Sequence, residues 1–255
     1  MSDKKQLTLY TAKICPYAQR TEIALIEAKA EFTRHEIDLS NKPLWFTPQV
    51  NPASKVPAIS YGGPIVPPEQ PSPDSVKLAE SLILVEFVAD LYPECGILPP
   101  DPVERAQARF FIEIFNTKVA PGFVGFLLRG EHFEALLKGL ESLQVLLSKD
   151  GPYVLGERFS IADIAVAPFM GRMETALTNE VGAYEIGEGT KCWEAVTKDP
   201  KFEKLMKYYA ALKQRPSFKV TYDEEYMRDA YKKRFSIVRA QKKAAAAAAA
   251  AAAPS

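Results

Sequence analysis

The chain has 255 residues, 47% hydrophobic and 25% charged, enough apolar material for one large core or two ordinary ones and too much for a disordered chain. Its 32 Lys and Arg balance 32 Asp and Glu, so no general field draws it to a phosphate backbone or an anionic lipid surface, and neither nucleic acid nor a membrane is an expected partner. The cysteines at 15, 95 and 192 are too few, and odd in number, for a disulfide framework, which fits a reducing, cytoplasmic location.

The N-terminal stretch 1–13 carries no apolar leader, and no apolar run long enough to cross a bilayer is expected outside the polyalanine near the end. Residues 6–10 alternate apolar and polar β-formers and predict a short strand that breaks before Cys15-Pro16. Pro16 suits the first position of a helix, and 18–30 supplies helix formers with Ile23, Leu25 and Ile26 on one face. Cys15 is therefore expected at or beside the N-cap. Residues 32–39 predict a second strand, completing a βαβ unit.

A short amphipathic stretch then surrounds Trp45 and Phe46, followed by a turn at 51–54. In the strand-like Lys55-Val56-Pro57-Ala58-Ile59, Pro57 marks an edge, a bulge or a cis bond, because proline cannot donate to the ladder. Residues 61–75, rich in Pro and Gly, predict an irregular loop. A weak strand at 76–78 leads to Glu80-Ser81, which opens an apolar helix running to about Leu91 and stopping near Pro93.

From 99–102 strand signals vanish and helical periodicity takes over, with helices expected over 105–117, 125–147 with an interruption, 161–177 and 202–212. Ser160-Ile-Ala-Asp163 has the pattern of a capping box, with Phe159 and Ile164 as its hydrophobic staple, which makes Asp163 structural. The tail from Lys242 is basic and then runs through ten alanines, extending a terminal helix or acting as a linker. The expected organisation is a first domain over 1–93, a linker over 94–102, a helical domain over 103–240 and an Ala-rich tail over 241–255.

Cys15 is the residue with most chemistry to offer. A thiol beside a helix N-terminus meets the positive end of the dipole and backbone N–H groups that favour its thiolate. Local context alone leaves open the other fate of free cysteines, a small buried hydrophobe. Cys15-Pro16-Tyr17-Ala18 has no second cysteine two residues on, so a mixed disulfide here needs an external small thiol to resolve it.

Cys15-Pro-Tyr-Ala-Gln-Arg20, Arg34-His-Glu-Ile, Asn41-Lys-Pro-Leu-Trp45-Phe46, Asn51-Pro, Val56-Pro57, Glu80-Ser81 and Phe159-Ser-Ile-Ala-Asp163 occur in the order and approximate spacing of the glutathione transferases. Over residues 5–215 the chain resembles that family, and its cysteine motif resembles the omega class.

The resemblance implies a fold of α/β plus all-α type: a thioredoxin-like N-terminal domain followed by an all-helical C-terminal domain, paired as a homodimer. It also implies glutathione as co-substrate, with Val56 and the cis proline Pro57 pairing with its cysteinyl main chain. Glu80 and Ser81 would hold the γ-glutamyl end and Lys42 the glycyl carboxylate. The plain alternatives are an ordinary helix start at Glu80-Ser81 and a solvated Lys42.

Omega-like enzymes use the cysteine to form a mixed disulfide, so the implied activity is thiol transfer, deglutathionylation and dehydroascorbate reduction. A glutathione-bound carrier of apolar small molecules is the alternative. Apolar or glutathionylated small molecules are the implied partners. They would enter a second-substrate pocket between the cysteine and the helical domain, for which Phe115, Phe123, Phe126, Met173 and Trp193 are candidates.

The segment between Val56-Pro57 and Glu80-Ser81 is longer than is usual in the family, and is either a tolerated surface insertion, cheap because loop closure scales slowly with length, or one that changes the dimer interface or adds a pocket wall. Tyr10 and Tyr17 are expected as packing residues. His35 and His132 lack metal-site spacing, so no metal is expected. Cys95 and Cys192 are expected as structural or incidental thiols.

Overall fold

The structure, a computed structural model, describes residues 5–251, with side chains to residue 245. The first four residues of the stretch read for a leader, and the end of the alanine tail at 252–255, lie outside the described residues.

Four strands form one sheet in the order β2-β1-β3-β4: β1 Leu7–Thr11, β2 Thr33–Glu36, β3 Ala58–Tyr61 and β4 Val76–Ala79. β1 pairs parallel with β2 and antiparallel with β3, which pairs antiparallel with β4. Helix α1 (Pro16–Glu27) connects β1 to β2, the short α2 (Phe46–Gln49) precedes β3, and α3 (Ser81–Leu91) follows β4. This is the thioredoxin-like arrangement that the resemblance implies.

The short strand expected from the alternation forms as β1, and all five of its residues are buried, Thr8 and Thr11 included. An interior strand with both faces covered has no solvent side for its threonines. The strand expected over 55–59 begins only at Ala58, because Val56–Pro57 is a cis peptide at its edge. α1 starts on Pro16 and buries Ala18, Ile23, Ala24 and Leu25 completely.

The Pro-rich loop is irregular but pinned. The Gln6 side-chain amide exchanges two hydrogen bonds with the Val66 backbone, at 2.8 and 3.0 Å, and the Tyr10 hydroxyl donates to Pro68 O at 2.8 Å.

The remaining helices are α4 (Pro102–Ile114), α5 (Ala120–Val124), α6 (Glu134–Gln144), α7 (Ile161–Thr178), α8 (Glu188–Lys198), α9 (Glu203–Gln214), α10 (Pro216–Thr221) and α11 (Glu224–Ala251). α8 was not expected from the pattern, and α11 carries the terminal helix into the polyalanine. π-helical turns at Phe115–Val119 and Gly125–Arg129 flank α5, where the chain runs through Pro121 without ending the helix. α6 packs almost backbone to backbone on α5 and on the π-helical turn before it: a Cβ on Gly122 would lie 2.7 Å from Leu136 backbone atoms, and one on Gly139 would meet Lys118 O of that turn.

The capping box forms. Asp163, fully buried, accepts from Ser160 N (2.8 Å), Ser160 Oγ (3.1 Å) and Val154 N (3.0 Å).

The chain forms two compact units. One holds the sheet with residues up to 112, 148–169 and 210–222; the other is helical and holds 113–147, 170–209 and the chain from 223 onward. The helical run Pro102–Arg129 is long and apolar enough to cross a membrane, with mean hydropathy 1.3 over its most apolar stretch, half of it buried inside the fold. A buried core helix meets the same test, so the expectation that only the polyalanine run has this character is corrected for this segment.

Candidate functional site

The sheet register assembles the site. Tyr10 of β1 lies opposite Ala58 of β3, and Ala58 lies opposite Ala79 of β4. Because both pairings are antiparallel, the loop after β1, the Val56-Pro57 peptide before β3 and Glu80-Ser81 after β4 all leave the sheet at one end. Cys15, Val56, Pro57, Glu80 and Ser81, separated by up to 66 positions in sequence, thereby come together.

Cys15 is the N-cap of α1, in extended conformation with φ −83° and ψ 118°, and Pro16 stands just inside the helix. Its N–H donates to Ala12 O at 2.8 Å, and its carbonyl accepts the first helical bond, from Gln19 N at 3.2 Å. The partly exposed thiol packs against the buried cluster of Tyr10, Phe46, Val50 and Val56, with Sγ 3.9 Å from Val56 O. A 12-residue helix thus points its positive end at a solvent-reachable sulfur, the setting that favours a thiolate.

The other thiols differ. Cys192 is fully buried and burial pushes it up to about 12, while Cys95, half-buried in the turn after α3, is also raised by burial.

Glu80 is the N-cap of α3 with φ 73° and ψ 112°, a region costly for a residue with a side chain and one that clusters at functional sites. Its exposed carboxylate stands beside the buried Ser81, the first residue of α3. A carboxylate next to a helix N-terminus offers an acceptor for an ammonium and donors for a carboxylate within one turn.

Lys42 does not stand free in solvent. Its Nζ donates to Ser54 O at 2.6 Å, two residues before Val56, and lies 3.5 Å from Ser54 Oγ. The lysine is thereby drawn to the segment that leads into the cis proline.

Tyr10 is buried, and its donation to Pro68 O engages the hydroxyl proton; burial, then the Glu69 carboxylate, pushes its pKa up to about 12. Tyr17 departs from a pure packing role: it is 42% exposed and meets Phe169 edge-on, with ring centroids 5.2 Å apart.

Among the described residues no group of three or more His, Cys, Asp or Glu side chains is arranged to hold a metal. His35 instead reaches Glu69 of the Pro-rich loop at 3.4 Å, and His132 stacks on Phe133.

In the helical unit Phe115, Phe123, Phe126 and Met173 are buried, Phe126 stacking on Tyr184 with centroids 4.4 Å apart. Trp193 is half-buried and is the member of the five with accessible surface. Phe115 and Phe126 belong to the two π-helical turns, a distortion found disproportionately at functional sites.

Arg20, quoted above only as a letter of the cysteine motif, is the site residue whose importance went unread. It is 2% exposed, its guanidinium lies 5.2 Å from the Tyr17 ring centroid and 4.8 Å from that of Phe169, and its Nε donates to Ala165 O at 2.8 Å. Its Nη1 donates to Ser81 Oγ at 3.3 Å. Burial lowers its pKa to about 10, against the pull of the charges on Tyr17 and Cys15, so it remains a cation at neutral pH.

Residues 14–91 match the family model for the glutathione S-transferase N-terminal domain and residues 104–211 the model for the C-terminal domain. Among solved structures, glutathione transferase Omega 1C from Trametes versicolor is 56% identical with a TM-score of 0.89, over 92% of this chain and 98% of that one. Omega 2S from the same fungus, in complex with 2,4-dihydroxybenzophenone, is 41% identical with a TM-score of 0.85, over 90% of this chain and 99% of that one. Among curated relatives, glutathione S-transferase omega-1 of Sus scrofa is 31% identical over 205 residues, 76% of this chain and 78% of the relative.

Proposed function

The chain belongs to the glutathione S-transferase family and is a glutathione transferase of omega type, and from that premise we propose that it works as a thiol transferase through a mixed disulfide at Cys15. The observation that carries this reading is the placement of the Cys15 sulfur at the N-terminus of α1 and 3.9 Å from Val56 O.

In the proposed cycle the Cys15 thiolate attacks the glutathione sulfur of a glutathionylated substrate. The substrate's sulfur leaves as a thiolate and takes a proton from solvent, and Cys15 is left joined to glutathione. A second glutathione, as its thiolate, attacks the glutathione sulfur of that disulfide, releasing oxidised glutathione and restoring the Cys15 thiolate. Each turnover consumes one free glutathione thiol and exchanges the substrate's mixed disulfide for oxidised glutathione, half of which is the glutathionyl group taken from the substrate, and no external redox cofactor enters. Dehydroascorbate reduction would instead draw its two electrons from two glutathione thiols, which leave joined as oxidised glutathione.

The bound tripeptide would lie with its cysteinyl main chain on Val56 and Pro57, its γ-glutamyl head on Glu80 and Ser81, and its glycyl carboxylate toward Lys42. Lys42 would exchange its bond to Ser54 O for one to the carboxylate. We further assign this enzyme to the cytosol and to a homodimer, the common state in the family. A second reading, carriage of apolar aromatic molecules in the helical unit, is supported by the dihydroxybenzophenone complex of the Omega 2S relative.

The test is turnover of a small mixed disulfide of glutathione by wild type and Cys15→Ser, with glutathione affinity measured in both. Loss of turnover with retained affinity supports the thiol-transferase cycle; a mutant that turns over as wild type excludes it.

A further inference from the structure

Resting on the reading that Ser81 receives the γ-glutamyl carboxylate, we propose that Arg20 is a positioning residue of the glutathione site, fixing the Ser81 hydroxyl as a donor toward that carboxylate. A guanidinium carries only donors and cannot accept a hydrogen bond. With Nη1 at 3.3 Å, the Ser81 oxygen must use a lone pair toward Arg20, and its single hydrogen turns to an acceptor elsewhere. A hydroxyl left to rotate would present lone pair or proton with equal ease; one held from behind by a cation presents its proton.

The guanidinium is itself held in place. Nε is anchored on Ala165 O in α7, and Tyr17 and Phe169 lie against it. Buried at 2% exposure, it has little freedom to follow solvent.

The same side chain stands five positions after Cys15 on α1, so one cation links the helix that carries the nucleophile to the helix start that holds the substrate's head. The attraction between Arg20 and the Cys15 charge gives the residue a second readout, since losing the cation removes that attraction from the thiolate.

The test uses Arg20→Lys, Arg20→Met, Ser81→Ala and the double variant Arg20→Lys/Ser81→Ala. Each is checked for folding by circular dichroism, then measured for glutathione affinity by calorimetry and for the pH midpoint of Cys15 alkylation by iodoacetamide. Lysine keeps the charge but loses the planar fork, so Arg20→Lys is expected to weaken glutathione binding about tenfold, the scale of one hydrogen bond to a charged group, with the alkylation midpoint unmoved.

Ser81→Ala is expected to weaken binding by a similar factor, and the double variant no further than either single one. Arg20→Met is expected to weaken binding and also move the midpoint upward. Arg20→Lys binding glutathione as wild type does, or losses that multiply in the double variant, overturns the proposal. Ser81→Ala binding as wild type does overturns instead the placement of the γ-glutamyl head at Ser81, and the proposal falls with it. Should Arg20→Met fail to fold, the three remaining variants decide the matter.

Discussion

The sulfur of Cys15 lies 3.9 Å from the carbonyl oxygen of Val56, the residue before the cis proline. The two meet because the antiparallel register of β1 and β3 brings the exit of one strand beside the entrance of the other. In the proposed cycle a peptide thiol joined to Cys15 would have the Val56 carbonyl within reach to pair with, so that one local geometry would serve both the covalent step and the recognition of the tripeptide.

Lys42→Ala tests the glycyl end. The lysine lies on the approach to Val56 rather than at the reacting sulfur, so its loss removes binding that ground state and transition state share. The expected outcome is a KM for glutathione raised by roughly three- to tenfold with kcat unchanged. Steady-state kinetics at saturating second substrate measure it, and a fall in kcat at constant KM would place Lys42 in the chemical step instead.

Tyr10→Phe tests whether a tyrosine hydroxyl activates glutathione. Because the proton is committed to Pro68 O and the pKa stands at about 12, turnover is expected to match wild type between pH 6 and 9, while folding stability falls by about 1 kcal/mol from the lost hydrogen bond.

The same substitution makes a pH prediction. The unfolded tyrosine ionises near 10 and the folded one near 12, so between those values the folded state holds the proton that the unfolded state has lost. The Tyr10 contribution to stability is complete below pH 10 and disappears as pH rises toward 12. Urea melts across that window are expected to show a shallower alkaline loss in Tyr10→Phe than in wild type.

Asp163→Ala tests the capping box. The fully buried carboxylate accepts three hydrogen bonds, and its removal strands donors at the start of α7, so a loss of about 2–4 kcal/mol is expected. Glutathione affinity of the folded fraction is expected to stay at the wild-type value. Equilibrium denaturation beside a binding isotherm distinguishes this from a catalytic role, which would lower activity without moving the melt.

Local signals served the sheet and the start of α1 well. Pro16 after Cys15, the cis-prone Val56-Pro57 and the Ser160–Asp163 box are short-range chemistry written in adjacent letters, and each appears in place. α8 escaped notice because Glu188–Lys198 begins beside glycines at 187 and 189, and buries only Gly189, Cys192 and Val196, too thin an apolar stripe to stand out.

The interruption expected within 125–147 falls at Gly130, whose left-handed conformation ends the helical run before α6 begins at Glu134, and only the structure reveals that π-helical turns carry the helix through Pro121 and Gly125. Arg20 was invisible as a site residue for a different reason. Its meaning lies in Ser81, 61 residues away, and Ala165, 145 away, contacts that no periodicity encodes.

The most direct measurement is intact-mass spectrometry of wild type and Cys15→Ser after exposure to oxidised glutathione. The account predicts a single glutathione adduct on wild type and none on the variant, since Cys192 is buried with its thiol raised to about 12 and Cys95 is raised by burial. An adduct that persists in Cys15→Ser, or a wild type that stays unmodified while still reducing glutathione mixed disulfides, would contradict it.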